Sequence, residues 1–225
     1  MKFTIINIIL ILFLTSRLSA QEVNKVAFGI MSGINFSAFT EEYNEPLVGG
    51  EFGVFGNYYF LDELGVGLEL KYSRKGGIMR GIIPAPAEFN QSIDRNSFDL
   101  YVRNNYMDFP LLLKYVFKIN EEMPLVPFVG YSYSIPLWSQ ESSEKKNYMP
   151  VDGDQEIEYT GKYSEDRAPL NSFSSLIIGV ETEISRFIMN IRYSIALDNI
   201  GGAADINELN YKVHSITMIV GYNFL

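Results

Sequence analysis

The segment Val66-Gly67-Leu68-Glu69-Leu70-Lys71-Tyr72-Ser73 decides the fold class of this chain. Its large apolar residues occupy every second position, and glycine, serine and charged residues fill the positions between them. In an extended strand, alternate side chains point to opposite faces. The segment therefore predicts a β-strand with one apolar face and one face of small and charged residues.

The same period of two residues recurs along the chain. It is found at about 28–36, 51–60, 107–117, 129–137, 175–181, 187–197 and 215–224. We therefore predict eight strands, an even number that suits an antiparallel up-and-down barrel with both termini on one side. The connections are alternately long (about 40–48, 76–99, 139–171 and 198–211) and short (near 62–63, 120–124 and 185–186). Short turns at one end and long loops at the other are typical of outer-membrane barrels.

The alternation does not by itself say which face points inward, because soluble and membrane barrels are inside-out versions of each other. An eight-stranded barrel has an interior only just wide enough for side chains, so the bulky face would overfill it. In water, that face would expose more apolar surface than soluble proteins carry. The sequence thus predicts an all-β, eight-stranded antiparallel transmembrane barrel of the outer-membrane type, closed so that no strand edge is left unpaired in hydrocarbon.

The first twenty residues have the order of a secretory signal peptide. Lys2 precedes an apolar run from Ile5 to Leu14, and the small pair Ser19-Ala20 offers a cleavage site. The run is too short for a membrane-spanning helix, which needs about 20 apolar residues. We expect a signal peptide at 1–20, a barrel domain at 21–225, and a location in the outer membrane of a Gram-negative cell with periplasmic termini.

The composition excludes several classes of function. The chain has 225 residues, no cysteine and one histidine, which leaves no thiolate metal site, disulfide scaffold or lipoprotein anchor. Its 18 basic and 27 acidic residues give a net charge of −9, which argues against nucleic acid as a partner. We expect no cofactor and no metal.

The predicted fourth strand carries the most specific motif, Tyr106-Met107-Asp108-Phe109-Pro110-Leu111-Leu112-Leu113-Lys114-Tyr115. It resembles the Tyr-x-Glu-Ile-Pro-Leu-Leu-Leu-Lys-Tyr signature of the PorT-like outer-membrane β-barrel family of Bacteroidota. Asp108 replaces the usual glutamate and Phe109 the usual isoleucine. The positions that carry the signature are Tyr106, Asp108, Pro110, Leu112, Lys114 and Tyr115.

Later segments are similar to further positions of that family, among them the terminal Gly221-Tyr222-Asn223-Phe224. The resemblance implies an outer-membrane barrel, and the family's founding member takes part in a protein-secretion apparatus. Gly221, Tyr222 and Phe224 would form the C-terminal signal read by the barrel-assembly machinery, although Leu225 follows the final aromatic residue. Expected partners are outer-membrane lipid, the barrel-assembly machinery, and secretion-system or surface proteins.

Charged residues of both signs fall on the face predicted to point inward. They are Glu69, Lys71, Asp108, Lys114, Glu181, Glu183 and Arg192. They could line an ion path, but an eight-stranded barrel leaves little lumen. We therefore expect an internal network of ion pairs and hydrogen bonds.

Three other candidates carry less chemistry. His214 is followed by Ser215, which a strand places on the opposite face, so the two do not form a catalytic pair. Asp152, Asp154, Glu156 and Glu158 alternate in the third loop but do not fit a calcium-loop pattern. The apolar, proline-containing segment 76–86 could dock a partner or cover the barrel mouth.

The sequence thus predicts a non-enzymatic integral outer-membrane barrel, a structural or interaction platform that presents acidic extracellular loops. The alternatives are a PorT-like subunit of a secretion apparatus and a small porin-like channel. A lipid-modifying enzyme is disfavoured, because no catalytic constellation is present.

Overall fold

A computed structural model describes residues 26–40, 44–83, 95–118, 124–151, 154–167, 171–200 and 212–225. The expected signal peptide at 1–20 lies outside these residues. The described strands are β1 (Val26–Phe39), β2 (Asn44–Tyr59), β3 (Leu64–Ile83), β4 (Arg95–Tyr115), β5 (Phe117–Lys118), β6 (Pro124–Val151), β7 (Asp154–Arg167), β8 (Phe173–Ile184), β9 (Phe187–Ala196) and β10 (Val213–Asn223). Within the described ranges, no helix has the length and apolar character needed to cross a membrane.

Eight of these strands close into one antiparallel barrel, as predicted. The order around the ring is β4-β3-β2-β1-β10-β9-β8-β6, and pairing of β4 with β6 closes it. The short β5 continues β4 against β6, and β7 pairs with β6 outside the ring. The short connections at 60–63 and 185–186 lie at one end, called here the turn end, and the opposite end is called the loop end.

The burial of side chains follows the predicted alternation. On β3, Leu68 is 62% exposed on the outside of the barrel, whereas Glu69 and Lys71 are each 5% exposed inside it. The strands β9 and β10 alternate in the same way along almost their whole length. The outer face is therefore apolar and the bore contains the small and charged residues.

The bore also holds large aromatic side chains, which the sequence analysis had assigned only to the outer face. Phe55 and Phe128 are buried inside the barrel. Glycines on neighbouring strands make room for their rings, because a Cβ at Gly179 would lie 2.4 Å from Cζ of Phe128 and one at Gly29 would lie 2.7 Å from Cζ of Phe55. Small and large residues thus interlock across the bore, as close packing requires.

The strands at the loop end are longer than predicted. β3 continues to Ile83 and β4 begins at Arg95, so much of the expected loop at 76–99 is paired strand. β6 runs for 28 residues to Val151 and pairs with β7, so the expected loop at 139–171 is largely a β-hairpin. The remaining parts of these loops, at 84–94, 152–153 and 168–170, lie outside the described residues, as does 201–211.

The extended parts of β3, β4, β6 and β7 form a four-stranded sheet that continues one wall of the barrel, called here the tall wall. A tilted strand crosses a bilayer with about 9–11 residues, whereas β6 has 28 residues and continues for 13 residues after Trp138. A register shift at Asn105/Tyr106 marks the base of the tall wall, where Leu137 and Trp138 both face outward. The strands β8, β9 and β10 are shorter and do not extend into the tall wall, so the rim at the loop end is asymmetric.

Candidate functional site

Eight charged side chains lie buried in the middle of the bore and pair with one another. The ion pairs are Glu51–Lys71, Glu69–Arg192, Asp108–Lys75 and Glu181–Lys114. Four carboxylates face four cations, so the set is neutral overall. Balanced pairing is what allows charges to remain ionised away from water.

The pair Glu69–Arg192 spans the barrel. Arg192 donates from both terminal guanidinium nitrogens to the two carboxylate oxygens of Glu69, at 2.7 and 2.9 Å. Their strands, β3 and β9, are four steps apart in the ring, so the bridge crosses the bore. The ring of Phe128 lies under the guanidinium, 5.4 Å from its carbon. A bidentate bridge of this kind obstructs the bore at its centre.

Asp108 is the best-coordinated carboxylate of the network. One oxygen, Oδ2, accepts hydrogen bonds from Lys75 Nζ and Ser73 Oγ, both at 2.7 Å. The other, Oδ1, accepts from Ser134 Oγ at 2.6 Å. The side chain is fully buried. Three donors from two neighbouring strands therefore hold this charge in place on β4.

The remaining two pairs complete the layer. Lys114 Nζ contacts both oxygens of Glu181 at 2.9 and 3.0 Å, two strands away around the ring. Lys71 Nζ contacts both oxygens of Glu51 at 3.1 Å. The polar cavity between these pairs has a volume of only about 10 Å³. That is room for about one water molecule.

Apolar side chains seal the bore on both sides of the charged layer. At the loop end, Phe39, Val102, Tyr106, Phe173, Ala196, Ile200 and Val213 form one buried cluster. At the turn end, Tyr59, Val116 and Val126 form another. In the described part of the chain, the bore is therefore a packed core with a charged centre.

The signature residues of the fourth strand mostly belong to this core. Tyr106, Asp108, Pro110, Leu112 and Lys114 are buried in the bore. Tyr115 is half-buried, and its ring centroid lies 4.6 Å from that of Phe117 at the turn end. The motif thus encodes the inward face of β4.

The C-terminal aromatic residues lie on the outer face at the turn end. The ring of Tyr222 packs 5.5 Å from Phe187 and 5.8 Å from Phe224. The Phe224 amide donates to the carbonyl of Phe28 at 2.9 Å, which ties the end of the chain to β1. Gly221 is buried and faces Phe55.

Two members of the charged layer were missed from the sequence. Neither Glu51 nor Lys75 is in the set of inward charges predicted from the sequence, although Glu51 lies in the alternating segment 51–60 and Lys75 comes directly before the predicted loop at 76–99. The signal was present, since positions 69, 71, 73 and 75 continue the same alternation. Glu183, which was included, lies near the turn end and accepts a hydrogen bond from Asn223 Nδ2 at 3.1 Å.

The other candidates remain apart from this network. His214 is half-buried, 6.2 Å from the ring of Tyr193, while the hydroxyl of the buried Ser215 lies 2.8 Å from that of Ser194. Asp152 lies outside the described residues, and Asp154, Glu156 and Glu158 belong to β7. Among the described residues, no group of three or more histidines and carboxylates is placed to hold a metal ion.

Aromatic residues form bands on the outer face near both ends of the barrel. At the turn end, the rings of Phe28 and Phe224 lie 5.6 Å apart. At the base of the tall wall, Tyr72 packs 5.0 Å from Phe52 and 5.9 Å from Trp138. Between the bands, the outer face is covered by exposed aliphatic residues. Such bands mark the two lipid–water interfaces of a membrane barrel.

A closed barrel with an apolar outer face, aromatic bands and an ion-paired core is an integral membrane β-barrel. Comparison with family models gives its class: residues 17–201 match the family described as outer membrane protein β-barrel domain. The chain belongs to this family, which places it in the outer membrane.

Solved structures give similarities over most of the chain. The attachment invasion locus protein Ail of Yersinia pestis, solved with the heparin analogue sucrose octasulfate, is 16% identical, with 89% of this chain and 99% of that chain covered and a TM-score of 0.38. Neisserial surface protein A is 13% identical, with 92% of this chain and 100% of that chain covered and a TM-score of 0.39. The N-terminal barrel domain of Pseudomonas aeruginosa OprF is 11% identical, with 92% of this chain and 100% of that chain covered and a TM-score of 0.35. A comparison with curated proteins found no match.

Proposed function

We propose that the protein is a non-enzymatic outer-membrane barrel that acts as a structural and interaction platform, with its tall wall facing the outside of the cell. The observation that carries this proposal is the tall wall itself, because it extends paired strands far beyond the length needed to cross the bilayer. In this orientation the termini and short turns lie in the periplasm, as in other outer-membrane barrels.

The filled bore supports a platform rather than a channel. The Glu69–Arg192 bridge crosses the centre, and apolar clusters seal the bore above and below it. A porin-like pathway would require a continuous water-filled lumen. The binding capacity of the protein is therefore expected at its ends.

The outer edge of β7 is the part of the tall wall best suited to bind a partner. Within the described strands, β7 pairs with β6 alone, so its other edge carries backbone groups that can accept an added strand. The segment 139–171 contains eight acidic and four basic residues. This charge favours an extended, basic segment of a surface or secreted protein as the partner.

Labelling of single cysteines tests the orientation, because the natural chain has none. Ser164→Cys places an exposed thiol on β7, and Asp62→Cys places one in the turn at 60–63. We expect a membrane-impermeant maleimide to label the first in intact cells and the second only after the outer membrane is permeabilised. The reverse pattern would overturn the orientation.

A shortened hairpin tests the platform. Ser142 and Ser164 are paired in the register, so residues 143–163 can be replaced by Asn-Gly, which closes a two-residue hairpin. We expect the barrel to assemble normally and photo-crosslinks from position 164 to surface partners to disappear. If the same crosslinked species persist, the tall wall does not hold the partner.

A second candidate is a PorT-like subunit of a secretion apparatus, favoured by the motif of the fourth strand. Because five of its six signature residues lie in the bore, the motif supports a shared core more than a shared task. Deletion of the gene would trap exported proteins in the periplasm if this candidate holds. Normal secretion in the deletion strain would remove it.

A further inference from the structure

We propose that Arg74 and Arg103, on the outer face at the base of the tall wall, form a site for the phosphate groups of a phosphorylated glycolipid of the outer leaflet. The inference rests on the orientation proposed above, which puts this face in contact with the outer leaflet. It concerns a different surface from the edge of β7.

The two arginines are neighbours on adjacent strands. In the register of β3 and β4, Arg74 is opposite Asn105, and Arg103 is opposite Gly76, two residues farther along. Both lie on the outer face, where Arg74 is exposed and Arg103 is half-buried. Diagonal neighbours of this kind lie about 7–8 Å apart, so both guanidinium groups can reach one phosphorylated headgroup.

Neutral contacts hold the two side chains in place. Arg74 Nε donates to Asn105 Oδ1 at 3.2 Å, and one terminal nitrogen of Arg103 donates to Ser142 Oγ at 3.2 Å. The guanidinium of Arg103 also lies over the ring of Tyr101, at 5.4 Å. No described carboxylate forms an ion pair with either group. The other guanidinium donors can therefore bind an anion, and their planar fork suits phosphate.

The aromatic band fixes the height of the site at the membrane surface. Arg74 follows Tyr72 by two residues on β3, about 7 Å farther from the bilayer centre along the strand. The Tyr72 hydroxyl also bonds to Asn105 Oδ1, and Asn105 Nδ2 donates to the carbonyl of Trp138 at 3.3 Å. The cations are thus attached to the rings that lie at the lipid interface. Acyl chains would lie against the exposed Leu70 below these rings.

The other basic side chains that the structure describes lie elsewhere. Lys71, Lys75, Lys114 and Arg192 are in the bore. Arg186 is in the turn at the opposite end, and Lys212 lies next to Thr40 on another part of the rim. Among the described side chains, this pair therefore combines two outward-facing cations with an interfacial aromatic cluster.

Trp138 is the only tryptophan of the chain, so its fluorescence reports on this site alone. We would reconstitute the protein in nanodiscs of brominated phosphatidylcholine, which quenches the indole, and add unbrominated lipid A carrying phosphate monoesters. Displacement of brominated lipid at the site restores fluorescence. The compared variants are Arg74→Gln/Arg103→Gln and the matched control Arg186→Gln, and the fold of each is checked by its resistance to unfolding in detergent.

We expect phosphorylated lipid A to restore fluorescence at about tenfold lower mole fraction in the wild-type protein and in Arg186→Gln than in the double variant. Dephosphorylated lipid A should behave alike in all three. Equal responses of the three proteins to phosphorylated lipid A would overturn the site. Recovery by inorganic phosphate alone would show an ion site rather than a lipid site. The nanodisc measurement does not depend on the orientation of the protein in the cell. A negative result there would overturn the lipid site alone, whereas the cysteine labelling tests the orientation.

Discussion

Replacement of Arg192 by methionine should strongly destabilise the barrel. The substitution removes two charge-assisted hydrogen bonds, of 2.7 and 2.9 Å, and leaves Glu69 buried in a layer with four carboxylates and three cations. Two unit charges about 4 Å apart interact by about 4 kcal/mol at an effective dielectric constant of about 20. Loss of one partner of a buried pair costs about 3–5 kcal/mol. We therefore expect the free energy of unfolding to fall by about that amount.

The matched double variant Glu69→Leu/Arg192→Met distinguishes pairing from simple loss of volume. It removes both charges together, so we expect it to recover most of the stability lost by Arg192→Met. The assay is urea-induced unfolding in lipid vesicles, followed by the fluorescence of Trp138, which is half exposed to lipid in the folded barrel. Additive effects of Glu69→Leu and Arg192→Met, or a loss of less than about 1 kcal/mol for Arg192→Met alone, would show that the two charges are not coupled.

Three further outcomes follow from the same core. Asp108→Asn should lower the free energy of unfolding by about 3–5 kcal/mol, because Lys75 loses its buried counter-charge. Urea titration measures this loss, and an unchanged midpoint would contradict the assignment. Gly179→Val should impair assembly, because its Cβ would lie 2.4 Å from Cζ of Phe128, and Phe128→Leu should relieve this clash in part. Heat-modifiability on gels measures the folded fraction. No relief by Phe128→Leu would contradict the interlocking of Gly179 with Phe128. Planar-bilayer recordings of the wild-type protein should show no steady conductance, whereas a stable open current would contradict the sealed bore.

The sequence was sufficient to predict the barrel because the membrane imposes a strict alternation. Each of the eight strands carries an apolar outer face, and the inward charges stand out against glycine and serine. The partners of those charges could not be predicted, because Glu69 and Arg192 are 123 residues apart and meet only through strand order and stagger.

The inward aromatic residues were hidden for a different reason. Phe55 and Phe128 look like ordinary lipid-facing residues unless the glycines of the next strand are considered with them. The length of the strands at the loop end was also hidden. Beyond the bilayer no apolar face is required, so the paired segment 76–83 lacks the alternation that marked the barrel.

The charges of the tall wall point to how it is held relative to the membrane. At its base, Arg74 and Arg103 would attract lipid phosphates, whereas the segment 139–171, with eight acidic and four basic residues, has a net charge of −4 and is repelled by them. Both effects act within about 8 Å at physiological salt, so they are strongest where the sheet leaves the bilayer. Attraction at the base and repulsion above it would keep the sheet upright, with the edge of β7 away from the lipid surface. A packed, ion-paired barrel suits this arrangement, because a rigid base transmits that orientation to the sheet above it.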